Sequence, residues 1–254
     1  MAWKLKRPAF LVVALLFVAA PISSYADVIL NPEEVQGVLI DIARYRKESK
    51  EGGTEEKKLE ALFGIGVRVQ ELLDLMNRDI RNHGLGTPDG YSNPFAELIV
   101  KRLQEYGIKV TPVENQYYGL PLYTYDFAAF HEYLKLAPRG KRAADIRFQM
   151  LLYTFDWTMG SDPAELRNTD LAGLLQTVAE EEKFLKDYPT YPEIEKVRLF
   201  LTVDYYRLYK HSPDGKKAKE YKKLTLQALE ELKRKHPDSP EAWLADTKIR
   251  PSLH

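Results

Sequence analysis

Residues Leu185–Lys210 read LKDYPTYPEIEKVRLFLTVDYYRLYK. The first residues end one helix, Pro189 and Pro192 mark a turn, and the remainder begins another helix. In that second helix Ile194, Val197, Leu201, Tyr205 and Leu208 step by 3, 4, 4 and 3. Such stepping lines one side of an α-helix with apolar groups, so it predicts an amphipathic element with one buried stripe. The pattern has an earlier copy at an offset of 51. Leu134-Lys135-Leu136-Ala137-Pro138 lies under Leu185-Lys186-Asp187-Tyr188-Pro189, and Ile146, Arg147, Phe148, Met150, Leu152 and Phe155 lie under Val197, Arg198, Leu199, Leu201, Val203 and Tyr206. A later copy follows at 48, where His236-Pro237-Asp238-Ser239-Pro240-Glu241 falls on Tyr188-Pro189-Thr190-Tyr191-Pro192-Glu193. Repeated helix–turn–helix units stack because no unit buries its apolar side alone.

The stretch Tyr188-Pro-Thr-Tyr-Pro-Glu-Ile-Glu-Lys-Val-Arg198, followed by Thr202-Val-Asp-Tyr-Tyr206, resembles the tetratricopeptide-type repeats of exported bacterial proteins. His236-Pro-Asp-Ser-Pro-Glu-Ala-Trp243 is similar to the junction at which such repeats begin their first helix. The resemblance covers about residues 125–249. Thr202 and Leu151 stand where that family carries a small Gly or Ala, and a spacing of 48 to 51 exceeds the family's period of about 34. Longer or splayed helices follow from both departures. What the resemblance implies is an adaptor fold that binds proteins or peptides and performs no chemistry of its own.

Outward from the repeats, Lys217 to Lys235 forms a second amphipathic helix on Tyr221, Leu224, Ala228 and Leu232. His211-Ser212-Pro213-Asp214-Gly215 is the turn before it. A short last helix, Pro240 to Ile249, is ended by Pro251. Toward the N-terminus, Asn31-Pro32-Glu33-Glu34 opens a helix with a cap acceptor, a proline at the first helical position and acids at the positive dipole end. Thr54 starts a longer helix reaching about Asn82, with Leu62, Val69, Leu73, Met76 and Ile80 on one face and Ile65, Leu72 and Leu75 widening it. Gly64 and Gly66 inside it predict close approach of a neighbouring helix. Asn93-Pro94 opens another helix, with Phe95, Leu98, Ile99 and Leu103 as its apolar face and Gly107 as its C-terminal cap. Residues 108–124, with Pro112, Pro121 and Tyr117, Tyr118 and Tyr123, read as an extended connector or short hairpin.

The first 26 residues are an address. Lys4, Lys6 and Arg7 precede 14 uncharged residues, Ala9 to Ile22, and Ser24-Tyr25-Ala26 offers small residues at −3 and −1 of a cleavage point. This is the grammar of a secretory signal peptide cut after Ala26. A run of 14 falls short of the roughly 20 residues needed to span a membrane. Cleavage leaves 34 basic against 37 acidic residues, and the chain has no cysteine. Disulfides, thiolate metal clusters and cysteine nucleophiles are excluded. A balanced charge argues against a dedicated nucleic-acid binder.

Reactive motifs fail one by one. His131-Glu132 lacks the second histidine of a zinc helix, having Lys135 there. Gly90-Tyr91-Ser92 has Pro94 where a nucleophile elbow needs glycine, and Gly84-Leu85-Gly86 runs into Thr87-Pro88 instead of a phosphate loop. Glu180-Glu181-Glu182 reads as a solvated face. Lys216 to Lys223 is basic, but Glu220 interrupts it. Tyr206 with Arg198 and Arg207 is the best candidate for a partner-gripping face, since Tyr and Arg dominate binding hot spots.

These readings predict an all-α protein: a helical N-terminal region over 27–107, a connector over 108–124, and a short α-solenoid of tetratricopeptide-like helical hairpins over 125–254. The expected function is non-catalytic protein or peptide binding, as an adaptor or scaffold of the bacterial envelope, with the periplasm as the location the leader implies. No metal, cofactor, nucleic acid or membrane-spanning segment is expected after cleavage. Two alternatives stay open: a glycan-acting enzyme with paired carboxylates, and a carrier holding a small hydrophobic ligand among Leu72, Met76 and the connector tyrosines.

Overall fold

The computed structural model describes residues 31–51, 53–83, 94–113, 122–155, 162–166 and 170–253. The expected leader over residues 1–26, the glycine motifs at 84–93, and Tyr117 and Tyr118 lie outside the described residues, as does the side chain of Phe95. Among the described residues the chain is mostly helical, with one two-stranded sheet.

Helix α1 (Pro32–Glu51) starts where Asn31 Oδ1 accepts the Glu33 N–H at 3.0 Å, and α2 (Glu55–His83) where Thr54 Oγ1 accepts from the Lys57 N–H at 3.3 Å. Both caps satisfy amides that the first helical turn leaves without partners. The apolar face read for α2 is buried: Leu62, Val69, Leu72, Leu73, Met76 and Ile80 are all at most 3% exposed. The two glycines of α2 are contact points. A methyl on Gly64 would come within 2.8 Å of the Tyr45 ring on α1, and one on Gly66 within 2.1 Å of Phe130 Cε1. Neighbouring helices therefore lie on α2 where it lacks side chains.

Helix α3 (Pro94–Glu105) ends as the sequence indicates. Gly107 takes φ +72°, its N–H bonds Gln104 O at 2.8 Å, and the Ile108 N–H reaches back to Leu103 O at 2.9 Å. That is the Schellman pattern, for which glycine is suited because it adopts positive φ without a Cβ penalty. Ile99 and Leu103 are buried, whereas Leu98 is 46% exposed and does not belong to the packed face. The connector resolves into a hairpin: β1 (Val110–Val113) pairs antiparallel with β2 (Leu122–Tyr125), Val110 opposite Tyr125.

Then come α4 (Ala128–Leu136), α5 (Ala143–Thr154), α6 (Leu171–Asp187), α7 (Ile194–His211), α8 (Gly215–Lys235) and α9 (Pro240–Lys248). A 3-10 turn, Arg250–Leu253, tucks Leu253 into the interior behind them. The first core cluster joins α1, α2, α3 and β1 to Tyr125, Phe127, Phe130, Tyr133 and Ile146, so α4 and the start of α5 share their core with the N-terminal helices.

The three turns that close α4, α6 and α8 have one geometry. Their C-cap residues Ala137, Tyr188 and His236 take φ/ψ of −135/70°, −132/55° and −137/57°. Each cap N–H bonds the carbonyl four residues back, and each cap carbonyl accepts the N–H three residues on, from Gly140, Tyr191 and Ser239. Side chains correspond as well. Tyr133, Phe184 and Leu232 are buried before the turn, and Ile146, Val197 and Ala245 are fully buried after it.

Helix α7 departs from the single stripe expected of it. Every residue from Val197 to Leu208 is buried, including Arg198, Thr202, Asp204 and Arg207. The reason is its position: α5, α6, α8 and α9 all pack on it. In α8 the buried stripe runs through Thr225, Leu229 and Leu232, with Tyr221, Leu224 and Ala228 only half-buried beside it.

Candidate functional site

The three residues singled out on α7 are interior, at 9% (Arg198), 2% (Tyr206) and 3% (Arg207) exposure. They also point to different neighbours. Arg198 donates through Nη1 to Glu231 Oε1 of α8 at 3.0 Å. Tyr206 packs among Leu199, Val203, Leu229, Leu232 and Ala242. Arg207 turns the other way, donating to Asp204 Oδ1 at 3.0 Å and through Nε to the carbonyl of Pro163 at 3.2 Å, with its guanidinium 5.8 Å from the Phe155 ring centre. The structure brings none of the three to a common surface. They fasten α8, the α8–α9 core and the 162–166 segment to α7.

Beside Arg207 lies a polar group that the sequence reading placed in solvent. Glu180 and Glu182 are exposed, but Glu181 is 1% exposed and faces inward from α6. Burial first, and the charge of Asp204 second, hold its carboxyl well above the ordinary glutamate range; the Arg207 guanidinium opposes them. Its Oε2 meets no hydrogen-bond donor among the described residues. A buried ion without donors is costly, so burial favours the protonated form of Glu181, which hydrogen-bonds Asp204, whose charge Arg207 balances. Next to it the exposed Glu182 accepts from the Tyr205 hydroxyl, and together with burial this pushes the phenol upward.

A second polar seam joins the N-terminal helices to the hairpin. The amide of Asn77, 6% exposed, accepts the Tyr123 N–H at 2.7 Å and donates to the Tyr123 carbonyl at 2.8 Å. One side chain thus supplies both bonds that a neighbouring strand would give. Tyr153 donates to the same carbonyl at 3.2 Å, Tyr125 donates to Gly66 O at 3.3 Å, and Gln70 donates to Gln149 O at 3.2 Å.

The outer surface differs. Large exposed apolar side chains are dispersed, with Ile40, Leu98, Leu136, Leu152, Leu175 and Trp243 each on a different helix. Such scatter is ordinary for a folded surface. An open depression of about 640 Å³ runs along α8 past Leu226, Gln227, Glu230, Glu231 and Arg234. Among the described residues no three His, Asp or Glu side chains converge as for a metal ion, and no helix is long and apolar enough to cross a membrane. His131 is exposed on α4.

No protein-family model matches this chain, and a search of curated proteins finds no relative.

Proposed function

We propose that the chain is a non-catalytic adaptor or scaffold that binds a protein or peptide partner through its helical array. The observation that carries this reading is the threefold recurrence of one helix–turn–helix junction, at Ala137, Tyr188 and His236, with matching caps and matching buried positions. Stacked units of that kind form tetratricopeptide-like solenoids, whose repeated surfaces serve recognition. The leader grammar of residues 1–26 adds an address: export, with the mature chain beginning at Asp27 in a bacterial envelope.

The two alternatives draw less support. Glu181 and Asp204 adjoin, but at 1% and 2% exposure a glycosidic oxygen does not reach them. Leu72 and Met76 are fully buried within the first core cluster and act there as packing.

Site-specific photo-crosslinking in cells, with the reactive residue placed in turn on exposed positions of α6, α8 and α9, tests the adaptor reading. A discrete crosslinked partner at one cluster of positions is expected. Absence of any discrete adduct from all three helices would overturn it. Mass determination of the N-terminus should give Asp27.

A further inference from the structure

Residues 210–223, at the corner where α7 passes into α8, hold six lysines (210, 216, 217, 219, 222 and 223) against Asp214 and Glu220. One of those acids is engaged: Asp214 Oδ1 caps α8 by accepting the Lys216 N–H at 2.8 Å. Elsewhere cations meet carboxylates, as in Lys58–Glu132, Arg198–Glu231, Arg207–Asp204 and Lys233–Asp246. None of the six lysines has a carboxylate partner among the described residues. All but the half-buried Lys222 are exposed.

Two of them lie near the same ring. The Lys210 ammonium lies 5.0 Å from the centre of the Tyr209 ring and 5.3 Å from that of Tyr206, while Lys222 lies 5.9 Å from Tyr209. Each contact with a π face is attractive, and Lys210 also donates to the Ser252 carbonyl at 3.5 Å, so Tyr209 and the chain end hold this edge of the patch in place. Lys216, Lys219 and Lys223, at i, i+3 and i+7, lie along one side of α8 for about 10 Å, with the single acid Glu220 among them.

The extent of the patch selects its occupant. Past Lys223 the acids on the outer side of α8 are already matched, Glu230 by Arg250 and Glu231 by Arg198 and Lys235, with Arg234 beside them. The run of lysines without carboxylate partners is therefore short, about 10 Å of α8 and the turn before it. A short anionic segment fits that extent. We propose that the α7–α8 corner docks a short acidic stretch of a partner polypeptide, with the lysines taking its carboxylates and Tyr209 offering a hydrogen-bonding rim. This rests on the adaptor reading and adds the chemistry of the partner.

The test uses the full mature chain and a fluorescein-labelled peptide of about eight alternating Glu and Asp residues, followed by anisotropy. Saturable binding that weakens as salt rises is expected. Combining Lys216→Gln, Lys219→Gln and Lys223→Gln, all solvent-facing, should weaken it by about tenfold or more, whereas the three Lys→Arg changes should keep it. No binding by the natural chain, or equal binding by the Gln variant, would overturn the proposal. So would equally tight, lysine-dependent binding to phosphatidylglycerol vesicles or to a single-stranded oligonucleotide, since the patch would then be a general anion attractor. The crosslinking experiment separates the two readings: a partner retained by the Gln variant leaves the adaptor standing and removes the basic corner, and failure to crosslink at any helix removes the adaptor.

Discussion

Glu181 shows how much a single residue can hide. At the offsets of the repeat it stands where α4 has Phe130 and α8 has Leu229, both fully buried. Read as part of Glu180-Glu181-Glu182 it belongs to solvent; read down the repeat it belongs to the core. The second reading is the one the structure follows, because consecutive helical residues point about 100° apart and only Glu181 of the three turns into the interior. The signal was present in the alignment that located the turns, but it conflicts with the rule that glutamate avoids the interior. The consequence is a pH dependence of unusual sign. Because the folded carboxyl titrates above its unfolded value, the folded state holds the extra proton. Its contribution is therefore complete below the unfolded value and declines as pH rises from there through the folded one. Thermal unfolding of Glu181→Gln and the natural chain, compared at pH 5 and pH 8, should show the variant gaining relative stability at the higher pH. A constant difference would mean that Glu181 does not change protonation on unfolding.

At the scale of elements, the helices were legible and their company was not. Caps at Asn31, Thr54 and Gly107 act locally, within one turn, so the sequence displays them directly. The burial of α7 on all sides depends on four other helices, and the 3.6-residue pattern of one segment carries no record of them. Asn77 escaped notice for a related reason: its partner, Tyr123, is 46 residues away. The hairpin depends on it, since β1 and β2 form only a two-stranded ribbon, a unit that is marginal by itself. Asn77→Ala removes both bonds and leaves the Tyr123 N–H and one lone pair of its carbonyl without that amide. Chemical denaturation should register a loss of about 1–3 kcal/mol. Asn77→Asp, which keeps an acceptor for the N–H but cannot donate in its ionised form, should also destabilise the chain at neutral pH.

For the molecule as a whole, the all-α character and the positions of the repeated turns were readable from proline spacing and apolar steps. The candidate binding face was not. Tyr206, Arg198 and Arg207 have the chemistry of a contact surface, yet the same chemistry lets long side chains stitch helices together from within, and composition alone does not separate the two uses. The proposed basic corner lies one turn further on, where lysines outnumber acids.

A helix sheathed on every side has no private route to deuterium. For the amides of residues 197–208 to exchange, α6, α8 or α9 must first come away, so their protection measures the opening of the stack and not the fraying of one rod. Hydrogen-exchange mass spectrometry should find this segment among the slowest of the chain, with peptides from α1 and the first turns of α8 far ahead of it. Fast uptake there would mean that the helices around it separate independently.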